Sequence, residues 1–486
     1  MSIQQHVKVL IVGGSVAGLT LANTLEQLGI DYLVLEKYAK IAPDLGASIG
    51  IFPNGYRILD QLGLYDAMND LNKDAYESFD IRGERGEVLS EIKDAFQQYV
   101  DRLGYGPGFI ERRMVIQLLY DNIQDKSKIL TRKGIAKVEQ SAGMVKVITE
   151  DGTTFSGDVL VGADGVHSTV RREMWRNADE EKPGYFTEQD RSSVRTEYRC
   201  IFGISRPNDK MLKKSWHMRQ GQNFSYLVVT GPNEQIYWAL FSKLSEVICG
   251  SHDKVPRYTE VERDALAAEH AQDPLTDNLT FGDIYETRTA ATLQALPEVN
   301  FKKWHFNRII TIGDAAHKFN PLGGQGGNHA IEDAAVLADQ LYLLFGGSEK
   351  HTSFTDADIT QAFHTTQRVR FDRAGNAMKD SRVGQSVQAM DKFTSKMIAK
   401  YLMPLGGAAK AQDQICMRAR GAARVKALPM PMRQHRDLWD DEREPSTFDW
   451  KLAGYVTSVG FAVLALFTAN TTQLSVVTLS KALLSV

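Results

Sequence analysis

The first residues that could do chemistry form a glycine-rich turn near the start of the chain, Gly13–Gly18, with the sequence Gly-Gly-Ser-Val-Ala-Gly. Gly13 permits a tight turn, Gly18 allows the following helix to pack closely on the preceding strand, and the helix start offers N–H groups to a pyrophosphate. Ser15 replaces the middle glycine of the dinucleotide fingerprint. Its small side chain leaves less room for a diphosphate beside the backbone but does not exclude one. Glu36 lies near the spacing expected of a carboxylate that binds ribose hydroxyls. The pattern predicts a dinucleotide with an unphosphorylated ribose, such as FAD or NAD, and the alternative is a turn without a ligand.

Two later segments pair glycine with aspartate after an apolar run. Asp164-Gly165 is the first, and Gly313-Asp314 is the second. The second is followed by a glycine-rich stretch, Gly323–Gly327, and by a predicted helix over Ala330–Phe345. Four glycines in this stretch would bring the backbone close to a flat ligand, and the helix start would stabilise an anionic heteroaromatic ring such as a reduced flavin. The alternative for both aspartates is a turn or helix-capping carboxylate.

These residues need secondary structure that holds them in place. The apolar run Val7–Val12 predicts a buried parallel strand, Leu19–Leu25 has helical apolar spacing, and Tyr32–Leu35 predicts a second strand. Together they form one βαβ unit that ends at Glu36. Met144–Thr149 predicts a further strand, which a turn connects to the run before Asp164.

Composition excludes several classes of protein. The chain has 486 residues, of which 43% are hydrophobic and 24% charged, so a largely disordered protein is excluded. A net charge of −3 gives no electrostatic footprint for nucleic acid. The chain has 3 cysteines without metal-site spacing, which fits a reducing compartment and argues against a disulfide framework. We predict no metal site, because three histidines near the glycine motifs lack a ligand-like pair and suit core or helix-start positions: His167, His317 and His329.

The three glycine motifs in this order resemble the class A FAD-dependent monooxygenases over residues 7–375. The resemblance implies an α/β fold of the FAD-binding, Rossmann-like para-hydroxybenzoate hydroxylase type. It also implies a mixed β-sheet substrate domain. In this sequence we add the expectation of a helical, membrane-anchored C-terminus.

The resemblance assigns a cofactor role to particular positions. Glu36 is expected to hold the adenosine ribose, and Arg112 is expected to reach the FAD, whereas the neighbouring Arg113 fits the family pattern less well. The alternative for Arg112 is a surface helix arginine. The other expected FAD-binding residues are Gly13, Ser15, Gly18, Gly50, Asp164, Gly165, Asp314 and Gly327.

The middle of the chain, from about 190 to 290, has the alternating pattern of strands. Tyr198–Ile204 is one predicted strand, and Phe224–Val229 with Gln235–Phe241 is a predicted hairpin. In the family this region forms a sheet over the flavin, and an aromatic-rich sheet suits an apolar substrate. Tyr226 and Arg199 are our candidates for orienting the substrate, and the alternative is that Tyr226 is an ordinary cross-strand aromatic.

Within the family, the chain resembles fungal monooxygenases of meroterpenoid and indole-diterpene biosynthesis through segments 13–22, 50–57 and 109–113 and its apolar tail. The resemblance implies transient use of NADPH and attack by O2 at the flavin C4a carbon. The distal oxygen of the resulting hydroperoxide would epoxidise the terminal alkene of a hydrophobic, prenylated substrate. The sequence shows no obvious acid–base cluster, which favours epoxidation slightly. A flavin-dependent aromatic (phenol) hydroxylase and a non-catalytic FAD-binding membrane redox scaffold are the alternatives.

The C-terminal part of the chain changes in character. Lys392–Arg436 is rich in lysine and arginine with interleaved apolar residues, which suits an anionic membrane surface or, alternatively, a solvated helical face. Leu452–Ser480 contains no charged residue. We expect a single-pass or monotopic anchor in contact with membrane lipid, with the catalytic domain on the cytoplasmic side, and the alternative is a buried C-terminal helix.

These patterns divide the chain into five parts. We expect a first FAD-binding part at 1–185, a β-sheet substrate domain at 186–290 and a second FAD-binding part at 291–375. A basic helical region at 376–450 and a membrane segment at 451–486 follow.

Overall fold

The structure is a computed structural model that describes residues 5–43, 48–72, 77–141, 143–211, 213–346 and 354–443. Residues 1–437 form one compact unit, and a second unit begins at Leu438. The predicted membrane segment at 451–486 lies outside the described residues. Within the described ranges, no helix has both the length and the apolar character that a membrane crossing requires.

The first third of the chain builds the βαβ unit and the arginine-bearing helix. Its elements are β1 (Gln5–Val12), α1 (Val16–Gln27), β2 (Tyr32–Leu35), β3 (Ser48–Ile51), α2 (Pro53–Gln61), α3 (Tyr65–Leu71), β4 (Ser78–Arg82), β5 (Val88–Lys93), α4 (Ala95–Leu103), β6 (Gly108–Glu111) and α5 (Arg112–Asn122).

The middle third is mostly strand. Its elements are β7 (Ile129–Leu130), β8 (Ile135–Ser141), β9 (Met144–Thr149), β10 (Thr154–Gly162), α6 (Thr169–Glu181), α7 (Glu188–Arg191), β11 (Val194–Ser205), β12 (Ser215–Gln220), β13 (Phe224–Thr230), β14 (Ile236–Gly250), α8 (Glu260–Glu269), α9 (Phe281–Glu286) and β15 (Arg288–Asn300).

The last third returns to the first sheet and ends in helices. Its elements are β16 (His305–Phe306), β17 (Ile309–Thr311), β18 (His317–Lys318), α10 (Gly326–Phe345), α11 (Asp356–Gln388), α12 (Phe393–Met397) and α13 (Gly407–Ala419). One π-helical turn, 398–402, continues α12.

A mixed sheet with a parallel centre forms the base of the nucleotide-binding part. Its main path runs β16-β17-β10-β1-β2-β7, and β9 and β8 extend it from β10. β1 lies between β10 and β2, with Val9 opposite both Val159 and Tyr32. Every residue of β10 is buried, as expected of a parallel strand covered on both faces. The predicted strands Val7–Val12, Tyr32–Leu35 and Met144–Thr149 are confirmed.

A second, mostly antiparallel sheet lies in the order β18-β15-β11-β14-β13-β12-β4-β5. The predicted hairpin is confirmed as β13 and β14, with Tyr226 opposite Leu240. The sheet also includes strands from outside the predicted 186–290 region, namely β4, β5, β18 and most of β15. The predicted boundary at 375 falls inside α11, because a single helix runs from Asp356 to Gln388.

The two faces of this second sheet have different neighbours. One face packs against a cluster that includes Phe52 and Leu322, which flank the glycine motifs of the first sheet. The opposite face packs against residues of α8 and α9, such as Leu266 and Phe281. Only the first face can therefore border a ligand held by the glycine turns.

Candidate functional site

The turn between β1 and α1 has the geometry that the glycine pattern predicts. Gly13 has φ +108°, and a Cβ built there would lie 2.4 Å from the carbonyl oxygen of Ala163. A Cβ on Gly18 would lie 1.9 Å from the carbonyl oxygen of Gly13, so this helix can approach the turn only without a side chain at position 18. α1 begins at Val16 with no side-chain cap on its N–H groups, which leaves them available to a phosphate.

Glu36 lies beside this turn at the end of β2. One carboxylate oxygen accepts a hydrogen bond from the Gly14 N–H at 2.6 Å, and the other accepts one from the Tyr38 N–H at 2.9 Å. The side chain is buried. The carboxylate is therefore fixed at the dinucleotide turn, where a ribose edge would exchange hydrogen bonds with it. Its ribose-binding role stays a prediction.

Arg112, the first residue of α5, reaches the same turn. Its Nη2 donates a hydrogen bond to the Ser15 hydroxyl at 2.8 Å. Ser15, which departs from the glycine fingerprint, thus has a defined function as the acceptor for this arginine. Arg113 instead donates to Glu111 at 2.5 Å, and its side chain is 44% exposed. The structure therefore places Arg112 beside the dinucleotide turn, and its contact with FAD stays a prediction.

The turn after β10 places Asp164 and Gly165 next to Gly13. The Asp164 carboxylate accepts from the Thr169 N–H at 2.7 Å and from the Val170 N–H at 3.0 Å, at the start of α6. This is the helix-capping alternative considered from the sequence. Gly165 has φ +77° with open space at its Cβ position. The backbone of this turn therefore faces the site, whereas the Asp164 side chain stabilises the start of α6.

The Gly313-Asp314 turn lies beside the first glycine turn, although the two are about 300 residues apart in the sequence. A Cβ on Gly313 would lie 3.3 Å from the Cβ of Ala17 and 3.1 Å from that of Ala330, so this turn is wedged between α1 and α10. Burial raises the pKa of Asp314, but the charges of Lys318, Arg112 and His317 outweigh it and the net pKa is lowered. Asp314 is therefore an ionised acceptor close to Arg112, and the two distant motifs converge on one place.

The glycine-rich stretch before α10 forms a flat, backbone-lined cradle. Gly324 has φ +62°, and a Cβ there would lie 2.6 Å from the Phe52 ring. A Cβ on Gly327 would lie 2.6 Å from Ile49. α10 begins without a side-chain cap. The uncapped start of α10 and the adjacent flat backbone offer N–H donors that suit an isoalloxazine. At the first turn, Arg112 would supply a cation for a pyrophosphate and Glu36 a carboxylate for a ribose.

Asn328 is a site residue that the sequence reasoning missed. Its side-chain oxygen accepts from the Phe52 N–H at 2.9 Å, and its amide nitrogen donates to the Gly50 carbonyl at 2.9 Å. This residue ties β3 to α10 and so places Gly50 and Gly327 at the same cradle. Its position inside the first turn of α10 was the signal that could have identified it.

A buried ion network lies behind the cradle and was also missed. Asp333 accepts hydrogen bonds from the Gly313 N–H at 2.9 Å, from His317 Nε2 at 2.6 Å and from Arg370 Nε at 2.8 Å. Glu332 accepts from Asn54 at 2.8 Å and pairs with Arg370. His317 is a core residue as predicted, and it takes part in this network. The network fixes the turn that presents Asp314.

The two predicted substrate-orienting residues require a correction. The hydroxyl of Tyr226 donates to Asp273 at 2.7 Å, and its ring packs in the cluster with α8 and α9. The Arg199 guanidinium lies 5.8 Å from the ring of Tyr258, which packs against the same cluster. Both side chains therefore lie on the face of the sheet turned away from the glycine cradle, because alternate residues of a strand point in opposite directions. This position agrees with the alternative of an ordinary cross-strand aromatic for Tyr226 and argues against a substrate-orienting role for either residue.

The face that does border the cradle is apolar and aromatic. Leu227 and Val229 alternate with Tyr226 on β13 and belong to the same cluster as Phe52 and Leu322. Other members of this cluster that lie on the second sheet or beside it are Tyr198, Cys200, Trp216, Ala239 and Phe241, with Phe79, Phe109 and Phe202 packed against it.

The Arg112–Ser15 contact gives a first prediction. Arg112→Ala should weaken FAD binding by about tenfold to a hundredfold, because a charge-assisted hydrogen bond to a phosphate contributes about 1.5–3 kcal/mol. Arg113→Ala is the matched control and should change the affinity by less than about threefold. Fluorescence titration of the apoprotein with FAD measures both. Equal losses in the two variants would show that Arg112 does not face the cofactor.

Comparison with known proteins gives independent findings. Residues 6–371 match a protein family described as FAD binding domain. The FAD-dependent monooxygenase olcE of Penicillium canescens is 37% identical over 88% of this chain and 90% of that protein. The FAD-dependent monooxygenase andE of Emericella variicolor is 37% identical, also over 88% of this chain and 90% of that protein.

Solved structures share the fold at low identity. HpxO of Klebsiella pneumoniae, crystallised with FAD and uric acid, superposes with a TM-score of 0.68 at 21% identity over 85% of this chain and 96% of that one. The tetracycline destructase Tet(51) superposes with a TM-score of 0.62 at 18% identity over 87% of this chain and 99% of that one.

Proposed function

The chain belongs to the FAD binding domain family and is an FAD-dependent monooxygenase, and we propose that it epoxidises the terminal alkene of a prenylated substrate with NADPH as the reductant. The observation that supports the substrate class is the apolar, aromatic face of the second sheet opposite the glycine cradle. A prenyl chain has no polar atoms, so it gives up no hydrogen bonds to water when it packs against such a surface. It gains the free energy of apolar burial.

The cofactor and the protein divide the chemistry between them. When bound, FAD supplies hydride acceptance and activation of O2. Three groups of residues would hold it: the uncapped start of α1 with Arg112 would bind the pyrophosphate, Glu36 would bind the ribose, and the uncapped start of α10 would face the ring. The N–H groups of α10 would favour negative charge on the reduced ring.

The residues on the substrate side exclude water and orient the alkene. Phe52 lies between the cradle and the sheet, since its ring approaches Gly324 and stands 6.2 Å from the ring of Trp216. Attack by alkene π electrons on an electrophilic oxygen needs no general base, so an apolar wall suffices for this step. Ring hydroxylation of a phenol would benefit from a group that stabilises phenolate.

The direct test is an assay with matched substrates. Purified enzyme, NADPH and isotopically labelled O2 should convert a farnesylated or geranylgeranylated acceptor into a product that carries one labelled oxygen as an epoxide. The same acceptor with a saturated terminal isoprene unit is the control and should give no product. A product hydroxylated only on the ring of the acceptor would refute epoxidation and favour the aromatic hydroxylase.

The two faces of β13 give a second prediction. Tyr226→Phe should lower the free energy of unfolding by about 1–2 kcal/mol through loss of the hydrogen bond to Asp273, with kcat and KM nearly unchanged. Leu227→Ala, the adjacent residue on the cradle side, should raise KM about tenfold by removing apolar contact with the substrate. Steady-state kinetics and denaturant unfolding measure these effects. A larger kinetic effect at Tyr226 than at Leu227 would reverse the assignment of the two faces.

We also propose a membrane location, because Leu452–Ser480 is uncharged over a length sufficient for a span or a monotopic anchor. The lysine- and arginine-rich region before it favours a cytoplasmic catalytic domain. Fractionation of cells that express the full chain, with salt and detergent washes, tests this proposal. Full-length protein that stays in the soluble fraction without detergent would overturn it.

A further inference from the structure

The helical segment after α11 has an unusual distribution of residues. Its inward side carries small or flexible residues: Ser395 and Ala399 are buried, and Met403 packs against the core cluster of Val387, Met390 and Ala399. The spacing of four residues between them puts them on one face of a helix. The segment is thus attached to the protein by its smaller side chains, and its large apolar residues have to point elsewhere.

Those large side chains face solvent. Phe393 is 76% exposed, Tyr401 61% and Leu405 76%. Three more exposed apolar residues belong to the same segment: Met397, Ile398 and Leu402. Single exposed apolar residues are ordinary, but six within 393–405 are a concentration of exposed apolar side chains of the kind that marks a docking surface. We refer to these six residues as the 393–405 patch.

The charges carried by the segment itself have one sign, and Glu84 from another part of the chain pairs with one of them. Lys392, Lys396 and Lys400 are exposed and alternate with the apolar residues along the segment. Lys396 donates to Gln222 at 3.2 Å, and Lys400 lies 3.3 Å from Glu84 at the edge of the patch. Residues 392–412 contain no acidic residue. An apolar surface bordered by exposed lysines is complementary to an anionic lipid leaflet, where the apolar side chains enter the interface and the lysines meet headgroups.

We propose that the 393–405 patch docks on an anionic lipid bilayer. The charge pattern favours lipid over a protein partner, because lysines bind phosphate and carboxylate headgroups as mobile point charges without fixed geometry. The exposed Tyr401 suits the headgroup level, where the polar end of its ring stays hydrated. The uncharged stretch Leu452–Ser480 is a second lipid-seeking segment in the sequence, and two such segments on one chain bind a bilayer more tightly than either alone. This proposal concerns folded residues and does not depend on the identity of the substrate.

The test places the probe in the patch itself, so that lipid binding by the uncharged stretch Leu452–Ser480 alone is not mistaken for docking of the patch. In the full chain with Cys249→Ser, which removes the exposed native thiol, Leu402→Cys carries an environment-sensitive fluorophore. Val261→Cys is the matched control, because Val261 is 78% exposed on α8. Addition of phosphatidylcholine vesicles that contain phosphatidylserine should shift the emission at position 402 to the blue and leave position 261 unchanged. Lipid-borne quenchers in these vesicles should quench only the label at position 402.

Two sets of variants test the chemistry of docking. Lys396→Gln and Lys400→Gln should each raise the lipid concentration at half-maximal shift about fivefold on phosphatidylserine vesicles. Phe393→Ser with Leu405→Ser should raise it about tenfold or more. A label at position 402 that is blue-shifted before lipid is added, or that shifts with protein concentration, would show that the tail or a second copy covers the patch. Either result, or no response to vesicles, would overturn the proposal.

Discussion

Gly18→Ala is expected to yield a protein that retains little or no FAD. The added Cβ would lie 1.9 Å from the carbonyl oxygen of Gly13 and 3.3 Å from the side chain of Ile11, so α1 has to move away from β1 and from the turn. Because the opposing atom belongs to the backbone, rotamer changes cannot relieve the overlap. A displacement that costs about 3 kcal/mol of cofactor binding would weaken FAD affinity about a hundredfold. Titration of the apoprotein with FAD measures this loss.

Gly384→Ala is the matched control for this change. Gly384 lies within α11 and has nothing within 4 Å of its Cβ position. Alanine there should leave FAD affinity unchanged and should add up to about 1 kcal/mol to the free energy of unfolding, since alanine restricts the unfolded chain. An undiminished FAD affinity in Gly18→Ala, measured on folded protein, would contradict the assigned dinucleotide turn.

Arg370→Met is expected to cause the largest loss of stability, about 3–5 kcal/mol. Arg370 is buried on α11 and donates hydrogen bonds to Asp333 and Glu332, which are themselves buried on α10. Burial alone raises the pKa of Glu332, but the charges of Arg370 and Arg373 outweigh it and hold that pKa well below its usual range. Removing Arg370 leaves two buried carboxylates with less compensation, and chemical unfolding measures the cost.

The pH dependence of this variant has a defined sign. Burial raises the pKa of Asp333, but His317 and Arg370 lower it to about 2, so the ionised form stabilises the folded state above about pH 4. This contribution is lost as pH falls toward 2. The stability deficit of Arg370→Met should therefore shrink on acidification, because a protonated carboxyl needs no neighbouring charge.

Arg368→Ala provides the control, since Arg368 is exposed two residues away on the same helix. Its free energy of unfolding should stay within about 0.5 kcal/mol of the parent. Arg370→Met should also weaken FAD binding, because Asp333 accepts the Gly313 N–H and so positions the turn that carries Asp314. A loss of stability below about 1 kcal/mol in Arg370→Met would show that the network does not act as a paired unit.

The local patterns of the βαβ unit were sufficient to predict it. Strand β2 begins and ends where its apolar run does, at Tyr32 and Leu35, because a buried parallel strand needs apolar residues on both faces. The turn at Gly13 also followed from sequence, since its φ of +108° excludes most other residues. α10 begins at Gly326, four residues before the predicted start, because its first turn carries the glycines that suggested a loop.

The direction in which a side chain points could not be predicted from the sequence in the same way. The alternation along β13 separates Tyr226 from Leu227, but only the packing of the sheet decides which of the two faces the cradle. Asp164 illustrates a similar limit, since a carboxylate after a strand can bind a ligand or cap the next helix. Here both of its oxygens bind groups of residues 168–170.

The buried ion network also could not be read from the sequence. Glu332, Asp333 and Arg370 resemble ordinary charged residues of surface helices, and no spacing rule links residues on two different helices across a crossing. Their pairing depends on how α10 packs against α11. Charged side chains that are buried need such partners, so the network becomes evident only once burial is known.

We expect the turn at Gly13–Gly18 and the turn at Gly313-Asp314 to form one FAD site. Titration of the purified full-length protein with FAD, followed by visible absorption and by flavin fluorescence, measures whether they do. The expected result is a yellow protein that binds one FAD per chain, with a flavin spectrum that differs from that of free FAD. A colourless protein that takes up no FAD on reconstitution would show that the two turns do not form such a site.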